Sequence, residues 1–169
     1  MKLNFTILLT FISILLLLVS CAQRERSYYF KDTKSIDLSK EEIEKIQLNN
    51  EINDEFIQKH GDLNYQKDLK NDSYNYYRIK GLIIAADKKE NIITKIMFTK
   101  DNTRTSRGIH LNDSIDKVKD LYGDSYYNRV EQGMNIIGYI DTEAKLTLEF
   151  WYDNDKKIQM IRLDVTSME

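Results

Sequence analysis

Few side chains in this 169-residue chain could do chemistry, and Cys21 is the only thiol among them. A lone thiol can serve as a nucleophile, as half of a disulfide, or as the acceptor of a covalent group. No second cysteine exists to pair with it. The two histidines, His60 and His110, form neither an HExxH nor a His-x-His pair, so no metal site is expected. The chain has no G-x-S-x-G elbow and no phosphate-cradling glycine array. Asp153, Asn154 and Asp155 have the opening of a calcium loop but not its central glycine or closing glutamate, so they read as a hairpin turn. Adjacent carboxylates such as Glu41 and Glu42 would diverge on a helix surface rather than converge on a substrate. The expectation is a protein without catalysis and without a cofactor.

The context of Cys21 points to tethering. Lys2 is the one charge before it, and residues 3–19 are almost wholly apolar, as in the charged and apolar regions of an export leader. Such a stretch could also span a bilayer as a helix of about 20 residues. The small Ser20 directly before the cysteine favours cleavage, and Leu18-Val19-Ser20-Cys21 resembles a bacterial lipobox, at which the thiol is acylated and the leader removed. Residues 1–20 are then a signal peptide and Cys21 the lipidation site. Several acyl chains on one residue would hold a membrane stably where a single chain is marginal. The whole chain carries 25 Lys and Arg against 27 Asp and Glu, net −2, and loses one more positive charge with Lys2. Interspersed charges of that balance suggest no nucleic-acid partner. Proline is absent, so no stiff stalk lifts the domain away from its membrane, and residues 21–35 read as a short polar tether.

The aromatic residues could bind a partner. On the expected strand at residues 145–152, Trp151 alternates away from Phe150, and Tyr76 with Arg78, and Tyr139, could share its open face. Tyr, Trp and Arg are the usual anchors of protein interfaces. Tyrosine also simply favours half-buried strands, which is the plainer reading of any one of them.

The elements that would position these residues follow from periodicity. Ile115, Val118, Leu121 and Tyr122 share one face of a helix over residues 113–122, opened by Asn112, Asp113 or Ser114 and stopped by Gly123. Strands follow at 135–140, 145–152 and 157–165. In the first half, Ser39 with Glu42 forms a capping box for a helix carrying Ile43 and Ile46, and a second helix covers 51–60. Strands are expected at 74–86 and 91–98, with a weaker one before Tyr74. This order suggests an α+β fold: helices packed on one face of an antiparallel sheet, as two tandem helix–hairpin repeats at 36–99 and 105–166 within a single domain at 36–169. A single α+β unit whose halves share only a local pattern is the alternative.

The run from Thr105 through Arg107, Gly108, Ile109, Asp113, Ser114 and Val118 to Tyr122 and Gly123 resembles the pattern T-x-R-G-I-x-x-G-D-S-x-x-x-V-x-x-x-Y-G of small bacterial lipoproteins. Asn112 stands where that pattern prefers glycine, and asparagine tolerates a positive φ. The wider architecture is similar to the small-protein A outer-membrane lipoproteins and the β-lactamase inhibitor proteins, which implies protein binding without catalysis. Together these expectations describe a lipid-anchored envelope protein on the non-cytoplasmic side of a membrane, binding another protein through its open sheet face. A carbohydrate- or peptidoglycan-binding module is the alternative, with an envelope hydrolase behind it.

Overall fold

The computed structural model describes residues 26–69, 71–100 and 103–166. The expected leader and Cys21 lie outside these residues. Alternating apolar side chains draw most of the chain into strands: β1 (Asn64–Tyr65), β2 (Tyr74–Ile79), β3 (Leu82–Asp87), β4 (Ile93–Phe98), β5 (Tyr127–Glu131), β6 (Met134–Asp141), β7 (Leu146–Tyr152) and β8 (Ile158–Val165). All eight form one antiparallel sheet in the order β1-β2-β3-β4-β8-β7-β6-β5. Each half of the chain contributes a four-stranded meander. The meanders join at β4 and β8, where Ile96 faces Leu163 and Phe98 faces Ile161.

One face of the sheet carries the apolar core. Ile84, Ile96, Phe98, Leu148, Phe150, Ile161 and Leu163 point from the strands into a cluster with Ile43, Ile46, Ile109, Val118 and Tyr122. Chain without regular structure supplies much of the cover. Ile36 N–H donates to Ile140 O (2.8 Å) and Asn49 N–H to Ile93 O (2.9 Å), stitching residues 36–53 across the sheet.

That arrangement corrects the expected α+β fold. The described helices are only α1 (Arg26–Phe30), α2 (Asp54–His60) and α3 (Ile115–Tyr122), of five, seven and eight residues, so the molecule is dominated by its sheet and has no helical layer. The capping box at Ser39 does not form. Asp37 Oδ1 accepts from both the N–H and the hydroxyl of Ser39, while Glu44 and Lys45 take φ of 52° and 63°, outside the right-handed helix. Ile43 and Ile46 instead exchange N–H to carbonyl bonds of 3.0 and 2.9 Å in a tight turn, and both reach the core fully buried. A helix this short gains little from its own hydrogen bonds, so the conformation that buries both isoleucines prevails. The helix at 51–60 starts only at Asp54, with Asn53 Oδ1 capping Phe56 N.

The strand expected at 74–86 is two strands joined by a two-residue turn, with Lys80 at φ 48° and Gly81 at φ 83°. A second such turn, Gln132 at 51° and Gly133 at 78°, joins β6 to the unforeseen β5. Ser114 caps α3 by accepting from Lys117 N–H (3.2 Å), and Gly123 ends it at φ 86°.

Candidate functional site

Period-two alternation places the remaining strand residues on the face opposite the core. Across β5, β6, β7 and β8 one row reads Tyr127, Gly138, Glu149, Arg162, and the next reads Arg129, Ile136, Trp151, Met160. Glu149 is the hub. Tyr127 donates its hydroxyl to Oε1 (2.6 Å), Arg129 donates Nε to Oε1 (2.8 Å) and Nη2 to Oε2 (3.0 Å), and Trp151 donates Nε1 to Oε2 (3.2 Å). Arg162 Nη2 lies 2.6 Å from Oε2, and Arg26 Nε lies 3.3 Å from Oε1. The Arg162 and Arg26 approaches are ion pairs without hydrogen-bond alignment, since Arg162 Nε and Nη2 and Arg26 Nε have no aligned acceptor. Gly138 makes the hub accessible to Tyr127. A Cβ at that position would sit 2.1 Å from Tyr127 Cζ, so the ring crosses β6 only because the position is bare.

Glu149 and Asp164 are both fully buried. Burial alone would raise the Glu149 pKa. The Arg129 hydrogen bonds and the charges of Arg162 and Arg26 outweigh it and bring the group down to about 2. The carboxylate therefore stays ionised at neutral pH, and it cannot act there as a general acid. Asp164 takes both guanidinium nitrogens of Arg26, Nη1 to Oδ2 (3.0 Å) and Nη2 to Oδ1 (2.7 Å), with Arg162 Nε 3.3 Å away. The stepwise network Asp164–Arg26–Glu149–Arg129–Glu131 thus runs across the sheet, with Arg162 between the two buried carboxylates.

Arg26 comes from α1, so part of the expected polar tether is instead docked on this face. Tyr29 stacks on Tyr127 (5.5 Å between ring centres) and Phe30 meets the same ring at 6.1 Å. The aromatic pair after Arg26 explains the docking: α1 offers a cation to the carboxylates and rings to Tyr127.

The expected interface residues separate. Trp151 does lie away from α2 and α3, yet it is 4% exposed, held between Arg129 (5.5 Å) and Arg162 (5.3 Å) over its ring. Tyr139 is fully buried on the core face, packed against Tyr122 and Phe150, with its hydroxyl donating to Gly123 O (2.9 Å). It alternates with Gly138 and so cannot share the face of Trp151. Tyr76 and Arg78 do lie on the face of Trp151, half-buried and exposed respectively. The half-exposed Ile83, Met97 and Met160 accompany them. Sequence reasoning missed Glu149, Arg129, Arg162 and Arg26. The alternation of Thr147, Glu149 and Trp151 against Arg162 and Asp164 was the available signal.

The motif residues build structure. Glu41 Oε1 accepts from Ser106 N–H (2.9 Å) and from the Tyr122 hydroxyl (3.0 Å), which also lies 2.9 Å from Thr105 Oγ1. Arg107 covers the Tyr122 ring at 4.4 Å and donates to Asp37 O (2.8 Å). Asn112 takes φ 64°, the conformation for which glycine would serve. His60 is buried against Phe56, and burial lowers its pKa. Among the described residues no group of three His, Cys, Asp or Glu side chains could hold a metal ion, and no helix is long and apolar enough to cross a membrane.

No family model and no curated protein matches the sequence. Among solved structures the chain is similar to a DUF4309 family protein, YjgB, from Bacillus subtilis subsp. subtilis str. 168. The two are 11% identical over 72% of this chain and 83% of that one, with a TM-score of 0.43. A likeness of that size assigns neither a fold family nor an activity.

Proposed function

We propose that this protein is a lipid-anchored, non-catalytic component of a bacterial cell envelope, tethered through Cys21 on the non-cytoplasmic side of a membrane, that binds another protein through the part of its sheet face beyond α1. The anchor rests on the apolar leader ending in Leu18-Val19-Ser20-Cys21. One observation carries the binding reading: Tyr76, Arg78, Ile83 and Met97, from the three neighbouring strands β2, β3 and β4, form a half-exposed apolar, aromatic and cationic patch. Residues of these types supply the core of protein interfaces. A carbohydrate-binding module would stack sugars on Trp151 and neighbouring tyrosines, and a Trp151 ring 4% exposed between two guanidinium groups offers no sugar a face.

The test is site-specific photocrosslinking in intact cells. A photoreactive side chain at Met97 should yield discrete protein adducts, and the same group at the exposed turn residue Glu143 should not. Absence of adducts from Met97, or an equal pattern from both sites, would sink the reading. In parallel, Cys21→Ser should abolish lipid labelling and leave the longer precursor; a normally processed and labelled variant would refute the anchor.

A further inference from the structure

The charge on this face is unevenly used. Every carboxylate of the network is engaged: Glu149 by Arg129, Arg162, Arg26, Tyr127 and Trp151, Asp164 by Arg26 and Arg162, and Glu131 by Arg129. Two cations on the same face are not. Among the described residues, the side chains of Arg78 and Lys95 donate no hydrogen bond and close no ion pair. Lys95 is half-buried beside Arg162 and Arg26; burial lowers its pKa, with Asp164 opposing and the two arginines adding to the effect. A surplus of positive charge on one face of a chain with net charge −2 marks a preference for an anionic partner.

Its geometry narrows the partner. Arg78, Ile83, Met97 and Arg162 form a single row across β2, β3, β4 and β8. Three inter-strand steps separate the two arginines by about 14 Å, which four residues of an extended chain also span. An extended segment lying across the strands repeats its side-chain direction every second residue. Acidic residues four apart would therefore stand over Arg78 and over the β8 end of the row, where Arg162 is already paired with Glu149 and Asp164 and Lys95 is the cation left to meet the second acid; the residue midway would stand over Ile83 and Met97. Lys95, diagonal to Arg162, adds a cation beside that line.

Resting on the reading that this face meets a protein, we infer that the partner presents an extended acidic–x–apolar–x–acidic segment to the row from Arg78 to Arg162. The α1 helix is not that occupant, because it brings a cation, Arg26, to Asp164 beside the β8 end of the row and rests its rings on Tyr127.

Trp151 is the only tryptophan and lies against Arg162, so its emission reports directly on the row. The full chain in detergent is titrated with a serine-flanked Glu-Ser-Leu-Ser-Glu peptide. The controls are Lys-Ser-Leu-Ser-Lys, Glu-Ser-Ser-Ser-Glu and vesicles of phosphatidylglycerol. The expected result is saturable binding of the first peptide, weaker by about tenfold for the leucine-less control and for Arg78→Glu, absent for the basic peptide, and retained in Lys95→Arg. Arg78 is exposed, so its reversal tests the charge without disturbing the fold. Equal binding of acidic and basic peptides, an unaffected Arg78→Glu variant, or a response to vesicles alone would overturn the inference. If Met97 crosslinks persist in cells unchanged in Arg78→Glu, a protein partner stands and its acidic character falls; if wild type gives no crosslinks, both fall.

Discussion

Gly138 and Glu149 together decide whether the face opposite the core can hold its charges. Gly138→Ala would drive a methyl into Tyr127, whose ring is held between Tyr29 and the Glu149 carboxylate. Overpacking of this kind costs about 1–3 kcal/mol, so the urea midpoint should fall, and by less when Tyr127 is first replaced by alanine. Glu149→Gln would leave Arg129, Arg162 and Arg26 without their common counter-charge, a loss of about 3–5 kcal/mol in thermal or urea unfolding. The pH dependence has a definite sign. Unfolded, this carboxyl titrates near 4.5, and folded it titrates at about 2. Its contribution, on the order of 3 kcal/mol, is fully present above the unfolded value and is lost as pH falls from there toward the folded one. Melting temperature followed into that acid window should drop more steeply for wild type than for Glu149→Gln. Equal acid sensitivity would show that Glu149 is not the group that titrates.

At the level of elements, α1 is the least expected piece and the easiest to perturb. Arg26→Ala removes both bonds to Asp164 and the approach to Glu149, while the Tyr29 and Phe30 ring contacts to Tyr127 remain. Hydrogen bonds to a charged group are worth about 1.5–3 kcal/mol, so amide exchange in α1 should speed up by at least about tenfold while β7 and β8 keep their protection. Unchanged exchange in α1 would mean that Arg26 is not what fixes it. Periodicity made α3 legible from Ile115, Val118 and Tyr122, and its cap carries a checkable effect: Ser114→Ala should cost about 1 kcal/mol. The strands β6, β7 and β8 were legible within a residue or two of their ends. The turns at Lys80-Gly81 and Gln132-Gly133 were not, because an X-Gly pair inside an apolar stretch is a weaker signal than a run of polar residues. The supposed helix around Ile43 and Ile46 failed because spacing by three fits a tight turn as well as a helix, and only tertiary burial chooses between them.

For the molecule as a whole, long-range partners decided the site. Arg26 and Asp164 are 138 positions apart, and nothing local in either segment announces the other. Alternation put Trp151 on the face away from α2 and α3, but exposure depends on what lies above a side chain, and Arg129 and Arg162 lie above Trp151. The same topology would set the reach of the proposed anchor. Five residues from Cys21 to Arg26 span at most about 18 Å, so while α1 is docked a lipidated Cys21 keeps this face near its membrane. Oxidation footprinting of the native methionines tests the proposed protein binding most directly, because Met97 and Met160 are half-exposed on β4 and β8 of the face, whereas Met134 lies on the same face at its β5–β6 edge, beside the Gln132-Gly133 turn and outside the β2–β4 patch. The expected result is slower oxidation of Met97 and Met160 in intact cells than in the purified chain, with Met134 alike in both. Equal oxidation of all three in the two settings would contradict a protein bound to this face.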